Sequence, residues 1–215
     1  EAELYKTFYS DRNYRIGVCG ANNLEAIEFK VVDTRNGKVL YDNSLKDFNE
    51  VIRFNPKKPK RYTFRGQIYR LRGDLDKAIE DFTKALELAP HDSTLYRDRG
   101  SAHSNLGETD KALEDLNRAL EMAPDDVDSH VAMGVFHSMR GNSEEALSCF
   151  DKALELRPDY GPPYFNRALV VFRMGELDRA ISDCSRAIEL GLAHVAAYAF
   201  LSTCLMNKGR YGKYE

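Results

Sequence analysis

Four blocks of this chain are versions of one another: "GDLDKAIEDFTKALELAP" (73–90), "GETDKALEDLNRALEMAP" (107–124), "GNSEEALSCFDKALELRP" (141–158) and "GELDRAISDCSRAIELGL" (175–192). They recur every 34 residues. Upstream of them, Gly66, Gly100, Gly134 and Ala168 keep the same period, as do Tyr62, Tyr96, His130, Tyr164 and Tyr198. Two alanine series keep it too, Ala78 to Ala180 and Ala85 to Ala187, and Pro56, Pro90, Pro124 and Pro158 close successive units. No unit of this size can bury an apolar face alone, so the units must stack.

Each unit reads as two helices. In the first, such as 61–72, Tyr62 and Tyr69 stand seven apart and share a face. Gly73, Gly107, Gly141, Gly175 and Gly209 are expected to end these first helices, where a left-handed residue is needed. Asp74, Glu108 and Glu176 then fall at the start of the second helix, where its dipole favours negative charge. Gly66, Ala78 and Ala85 let paired helices approach, and Tyr62 and Phe82 fill the space beside them. Proline cannot continue a helix, so it breaks the chain before the next unit.

These positions together resemble the tetratricopeptide repeat family. The likeness covers 59–194 as full units and 195–209 as half of one. It implies an all-α fold, a right-handed α-solenoid of stacked antiparallel helix pairs. The units expected are 59–92, 93–126, 127–160 and 161–194, with 195–215 a partial repeat or capping helix. Residues 1–58 are expected to hold an N-terminal helix (1–9), a loop (15–23), an irregular segment and a degenerate repeat. Residues 41–56 match a second helix, with Ser44, Phe48 and Val51 in the Ala, Phe and Ala places. Residues 27–42 alternate in part and contain Asn36-Gly37, a hairpin signal. An irregular or short helix is preferred there, because a lone hairpin would expose an edge.

The first 72 residues hold 15 basic and 9 acidic side chains, and the remainder 16 and 25. The basic stretch 53–73 has eight lysines and arginines and no acid. Yet it is a linker plus the first helix of the first full unit, and Arg65 has equivalents at Arg99 and Arg167. A structural reading is therefore preferred to a nucleic-acid site. Cys19, Cys149, Cys184 and Cys204 form no C-x-x-C pair, and buried thiols in a reducing, cytoplasmic setting are the simplest reading. A processed secreted chain is the alternative, since the sequence begins with Glu1. No membrane span is expected, because no run approaches ~18 apolar residues.

No catalytic motif appears, and neither an enzyme nor a cofactor is expected. His103 and His137 lie one period apart, at the place of Tyr69, and His130 replaces a tyrosine. They are read as core residues rather than metal ligands. The acids of the second helices, with Lys77 and Lys84, are read as i, i+4 surface pairs.

The family resemblance implies that the first helices line a concave channel. Its lining is then Thr63, Gln67 and Arg70; Arg97, Ser101 and Ser104; Val131, Val135 and Ser138; Phe165, Leu169 and Phe172; Ala199, Thr203 and Met206. Family members that clamp chaperone tails carry Lys, Asn and Arg where this chain has Thr63, Gln67, Asp98, Asp128 and Ala132, so that clamp is absent. The expected function is a non-catalytic scaffold binding an extended or helical protein segment in the channel. The alternative is a self-associating module, a homo-oligomer paired through its apolar groove and last helix. For Phe165, Leu169 and Phe172 two readings stay open, a docking patch and a surface covered by the chain's own tail or a second copy. The last helix is expected to expose Phe200, Leu201, Leu205 and Met206, and "GRYGKYE" to begin a further helix of a longer natural chain.

Overall fold

The computed structural model describes residue 52, residues 56–192 and 195–209, and the backbone alone of 8–10, 14–20, 27–33, 39–42 and 210–211. The chain divides into two compact units, Glu1–Ala102 and His103–Glu215.

In the first unit, β1 (Phe8–Ser10), β2 (Tyr14–Gly20), β3 (Ile27–Asp33) and β4 (Val39–Asp42) form an antiparallel sheet in sequence order. β2 pairs with β3 over seven residues, Tyr14 opposite Asp33 through Gly20 opposite Ile27, and the β3–β4 register shifts between Val31 and Val32. The sheet corrects three expectations. Residues 8–10 are strand rather than helix, 15–20 are strand rather than loop, and 27–33 with 39–42 are strands rather than an irregular helix. The edge objection fails because the hairpin is not alone. β2 and β3 take the interior places, and the edges are β1 and β4, of three and four residues. Residues 1–7, the Asn36-Gly37 pair and the Ser44, Phe48 and Val51 positions lie outside the described residues.

Helices α1 (Pro59–Arg72) and α2 (Leu75–Leu88), with α3 (Ser93–Leu106) up to Ala102, complete this unit. Pro59 opens α1 without losing a helical hydrogen bond. Gly73 closes it with φ 83°, and the Asp74 N–H reaches back to the Tyr69 carbonyl at 2.9 Å. Tyr62, Ala85, Leu86 and Leu95 form one buried cluster, joined by Ile52; Ala78, Phe82 and Ala102 form a second. Arg65 of α1 donates to both oxygens of Asp81 of α2, at 2.7 and 2.6 Å, and so pins the pair.

The second unit holds α4 (Thr109–Met122), α5 (Val127–Met139), α6 (Ser143–Leu156), α7 (Gly161–Arg173), α8 (Leu177–Glu189) and α9 (Val195–Tyr211). Asp126 caps α5 by accepting from the Ser129 N–H at 2.9 Å. Arg167 repeats the device of Arg65, donating to both oxygens of Asp183 at 2.8 and 2.7 Å, with Asp151 a second partner at 2.6 Å. Two periods after Arg65 and Asp81 stand Met133 and Cys149, an apolar pair packed in the cluster of Ala112, Leu116 and Phe136. Both members of the ion pair are replaced together, which leaves no buried charge behind.

The helices of 59–211 are the helical-repeat solenoid expected from the 34-residue period. One terminator differs. α9 runs through Gly209 to Tyr211, whereas Gly191, with φ 91°, follows α8. After Gly73, Gly107, Gly141 and Gly175 the chain turns into a second helix; after Gly209 no such helix is present among the described residues. The surface pairs also differ in spacing. Lys84–Glu87, Lys111–Glu108, Lys152–Glu155 and Arg186–Glu189 are i, i+3.

The small residues of the first helices are set by the aromatics that face them. A methyl on Gly134 would stand 2.5 Å from the Phe150 ring, and one on Gly66 2.9 Å from the Phe82 ring. Alanine gains about 1 kcal/mol of helix propensity over glycine, but overpacking costs about 1–3 kcal/mol. Gly134→Ala is therefore expected to destabilise the chain by about 1–2 kcal/mol, and Gly66→Ala by less. Urea denaturation of the two variants checks the order.

Candidate functional site

In the first unit the expected lining residues lie on α1 and α3. Thr63 donates its hydroxyl to the Pro59 carbonyl at 3.2 Å, and Ser101 donates to the Arg97 carbonyl at 2.8 Å. Both hydroxyls are thus used within their own helices. Gln67 and Arg97 do something different. The Gln67 amide donates to Asp98 Oδ2 at 2.9 Å, and Arg97 Nε and Nη2 donate to Asp98 Oδ1 at 3.2 and 3.1 Å. Asp98 is 8% exposed, so its charge needs these donors. One buried carboxylate thereby orients an amide from α1 and a guanidinium on α3. Arg70, one turn along α1, has its Nε buried without a hydrogen-bond acceptor.

Asp98 is the residue the sequence reading passed over, noting it only where the clamp fails. Its signal was available: an acid next to Arg97 in the middle of a first helix, where the next units have Ala132 and Asn166.

In the second unit the expected lining is apolar. Val131 and Val135 are half-buried and pack against the cluster of Ala146, Phe150 and Val170. Phe165, Leu169 and Phe172 are half-buried as well. Phe200 of α9 meets Phe165 edge-on at 5.8 Å between centroids and Phe172 at 5.3 Å. The chain's own last helix therefore covers part of this surface. Ser138 accepts from Arg173, and the Ser104 hydroxyl meets the Met139 sulfur at 3.8 Å. Thr203 donates to the Ala199 carbonyl at 2.9 Å, and Met206 is exposed.

The histidines take three different places. His103 is buried, with Nδ1 2.5 Å from Glu108 Oε2. Lys111, and after it His103, hold the Glu108 carboxyl below the usual carboxylate range. His137 has Asn142 where His103 has Glu108, and its Nδ1 is buried without a partner. His130 Nε2 lies 2.7 Å from the Pro124 carbonyl, the bond that Tyr96 and Tyr164 make to Pro90 and Pro158. It does a tyrosine's work. Among the described residues no three His, Cys, Asp or Glu side chains gather as a metal site.

Cys149, Cys184 and Cys204 are free thiols. Burial, and then the neighbouring Cys204, pushes Cys184 up to about 11; burial also raises Cys204 and Cys149. The thiolate is the reacting form. Iodoacetamide at mildly alkaline pH is therefore expected to modify Cys149, which is half-buried, well before Cys184 or Cys204. Labelling of those two should require denaturant, with mass spectrometry as the readout.

Helix pairs joined by small-residue packing define a helical-repeat scaffold of the protein-interaction class. Three family models described as Tetratricopeptide repeat match residues 59–92, 85–137 and 127–160. Residues 59–160 are thus tetratricopeptide repeats. Among solved structures, a thermophilic tetratricopeptide repeat protein of Thermus thermophilus matches with TM-score 0.69 at 20% identity, over 75% of this chain and 89% of that one. MamA matches with TM-score 0.55 at 22% identity, over 68% and 85%. YrrB, described as a TPR protein with an unusual peptide-binding site, matches with TM-score 0.52 at 22% identity, over 72% and 80%. These likenesses are of fold. No curated protein matches the chain in sequence. No helix among the described residues is long and apolar enough to cross a membrane.

Proposed function

We propose that this scaffold binds a protein segment, extended or helical, on the inner faces of its first helices, and that it performs no catalysis. The observation that carries the reading is the convergence of Gln67 and Arg97 on buried Asp98. A carboxylate is costly to bury, and a helix packed only for stability is as well served by an apolar residue there. Its effect is to hold two donors in place. Gln67 spends one N–H on Asp98 and keeps its carbonyl and second N–H for a peptide main chain. Arg70, half-buried on α1, carries a guanidinium that suits a carboxylate on the ligand. In the second unit, half-buried Val131, Val135, Leu169, Phe165 and Phe172 offer apolar contact. The YrrB likeness, with its peptide-binding site, is consistent with this use of the fold.

A nucleic-acid reading is weaker. Of the basic residues of α1, Arg65 is held by Asp81, and Lys58, Arg61 and Arg72 nearby also interact with neighbours.

The test is selection of a phage-displayed random peptide library on the whole chain, then calorimetric titration of the selected peptide. Losing a charged hydrogen bond costs about 1.5–3 kcal/mol, so Arg70→Ala should weaken binding roughly ten- to a hundredfold with the melting temperature unchanged or raised. Gln67→Ala should weaken it too. Binding indifferent to Arg70→Ala, Gln67→Ala and Leu169→Glu alike would remove these faces from the function.

A further inference from the structure

The same three positions close the interface between successive repeats. Ala78, Phe82 and Ala102 share one buried cluster, Ala112, Leu116 and Phe136 a second, and Ala146, Phe150 and Val170 a third. In each, a large side chain of a second helix is buried with a residue of the first helix that follows, twenty positions later. The next set in the series is Ala180 and Cys184 of α8 with Cys204 of α9.

Cys204 clusters with Ala180 as its counterparts do with theirs, and both thiols are fully buried. The Cys184 thiol reaches α9, donating to the Ala197 carbonyl at 3.3 Å. After burial, the neighbouring Cys204 is the next cause that pushes the Cys184 thiol up. Two thiols thus stand where the other interfaces hold Phe and Ala, Leu and Phe, or Phe and Val. A single buried cysteine here would be a small hydrophobe and nothing more. Two that meet across one interface can also be joined.

We propose that Cys184 and Cys204 form an oxidation site, at which a peroxide converts the two thiols into a disulfide that staples α9 to α8. One thiol, deprotonated, attacks a peroxide oxygen. The O–O bond breaks, the sulfur becomes a sulfenic acid, and the other oxygen leaves as water with the thiol's proton. The second thiol then attacks that sulfur. The S–O bond breaks, the S–S bond forms, and the hydroxyl leaves as a second water with the second proton. The two thiols are oxidised by two electrons, and one hydrogen peroxide is reduced to two waters. Burial raises both thiols, so the first step is slow and favours hydrogen peroxide, little larger than water, over a bulkier reagent. The second step is fast, because the attacking group is already in place. Phe200 lies one turn before Cys204, against Phe165 and Phe172, so the staple also fixes the turn of α9 that carries this ring. The site stands independently of peptide binding by the first helices.

The test is oxidation of the folded whole chain, freed of reductant, with hydrogen peroxide at mildly alkaline pH, read by peptide mapping under non-reducing conditions. The peptides of Cys184 and Cys204 should be recovered joined. The melting temperature should rise by roughly 5–10 °C, as closing a loop of this length does in a chain of this size. Dithiothreitol should reverse both changes. Cys184→Ala and Cys204→Ala should each abolish the rise, whereas Cys149→Ala, which removes the half-buried thiol, should leave it. Recovery of both thiols free, or of either one as sulfinic acid or joined to Cys149 or Cys19, overturns the proposal. So does a joined pair found only after unfolding, or one that lowers the melting temperature, since the helices would then have to part to form the bond.

Discussion

Asp183→Ala is expected to lower stability by about 3 kcal/mol, the low end of the range for breaking a buried ion pair. The substitution leaves the Arg167 guanidinium, itself only 19% exposed, without its two-pronged acceptor. Asp151 remains, but it is half in solvent and compensates little. The chain contains its own control in Met133 and Cys149, the same two places in another unit. The double variant Arg167→Met with Asp183→Cys should therefore come back to within about 1 kcal/mol of the parent, because it removes both charges at once. Guanidinium denaturation of the single and double variants reads the difference. A double variant as unstable as the single one would show that the apolar pair depends on its own surroundings and that the ion pair is not the exchangeable part.

Phe150→Ala is expected to cost about 3–5 kcal/mol. The ring is fully buried among Ala146, Val170 and the half-buried Val131 and Val135. The loss should reach beyond stability. Val131 and Val135 are expected lining residues whose inner sides rest on this cluster, so removing the ring loosens the wall they form. Binding of a selected peptide should weaken under conditions where the variant is still folded, although Phe150 touches no ligand. Phe82→Ala, the equivalent change in the first unit, should cost a similar amount of stability, since that ring is also fully buried and sits against Gly66. Calorimetric titration beside thermal melts separates the two effects. Unchanged peptide affinity in folded Phe150→Ala would take Val131 and Val135 out of the binding face.

Much of this protein was legible from the sequence alone because its units repeat. A period of 34 residues repeats every local signal several times: the glycine that turns left-handed, the acid that follows it, the alanines that let helices touch. Each copy checks the others, and so Gly73, Gly107, Gly141 and Gly175 end their helices as expected. The signal fails where the repetition fails. Residues 8–42 have no second copy to compare; 1–9 read as a helix and 15–23 as a loop, and the partial alternation of 27–42 left a choice between strand and irregular helix. The strands are settled by pairing between separate segments, such as Tyr14 with Asp33, which no local pattern contains. Gly209 also departs from the series, since α9 runs through it to Tyr211. The site divided in the same way. Which first-helix residues share a face followed from helical spacing, and that this face is the inner one is what the family resemblance implies. That Thr63 and Ser101 spend their hydroxyls on their own backbones, that Gln67 and Arg97 converge on Asp98, and that Phe200 sits between Phe165 and Phe172 were decided only by tertiary packing, because each depends on side chains brought together from different turns or different helices.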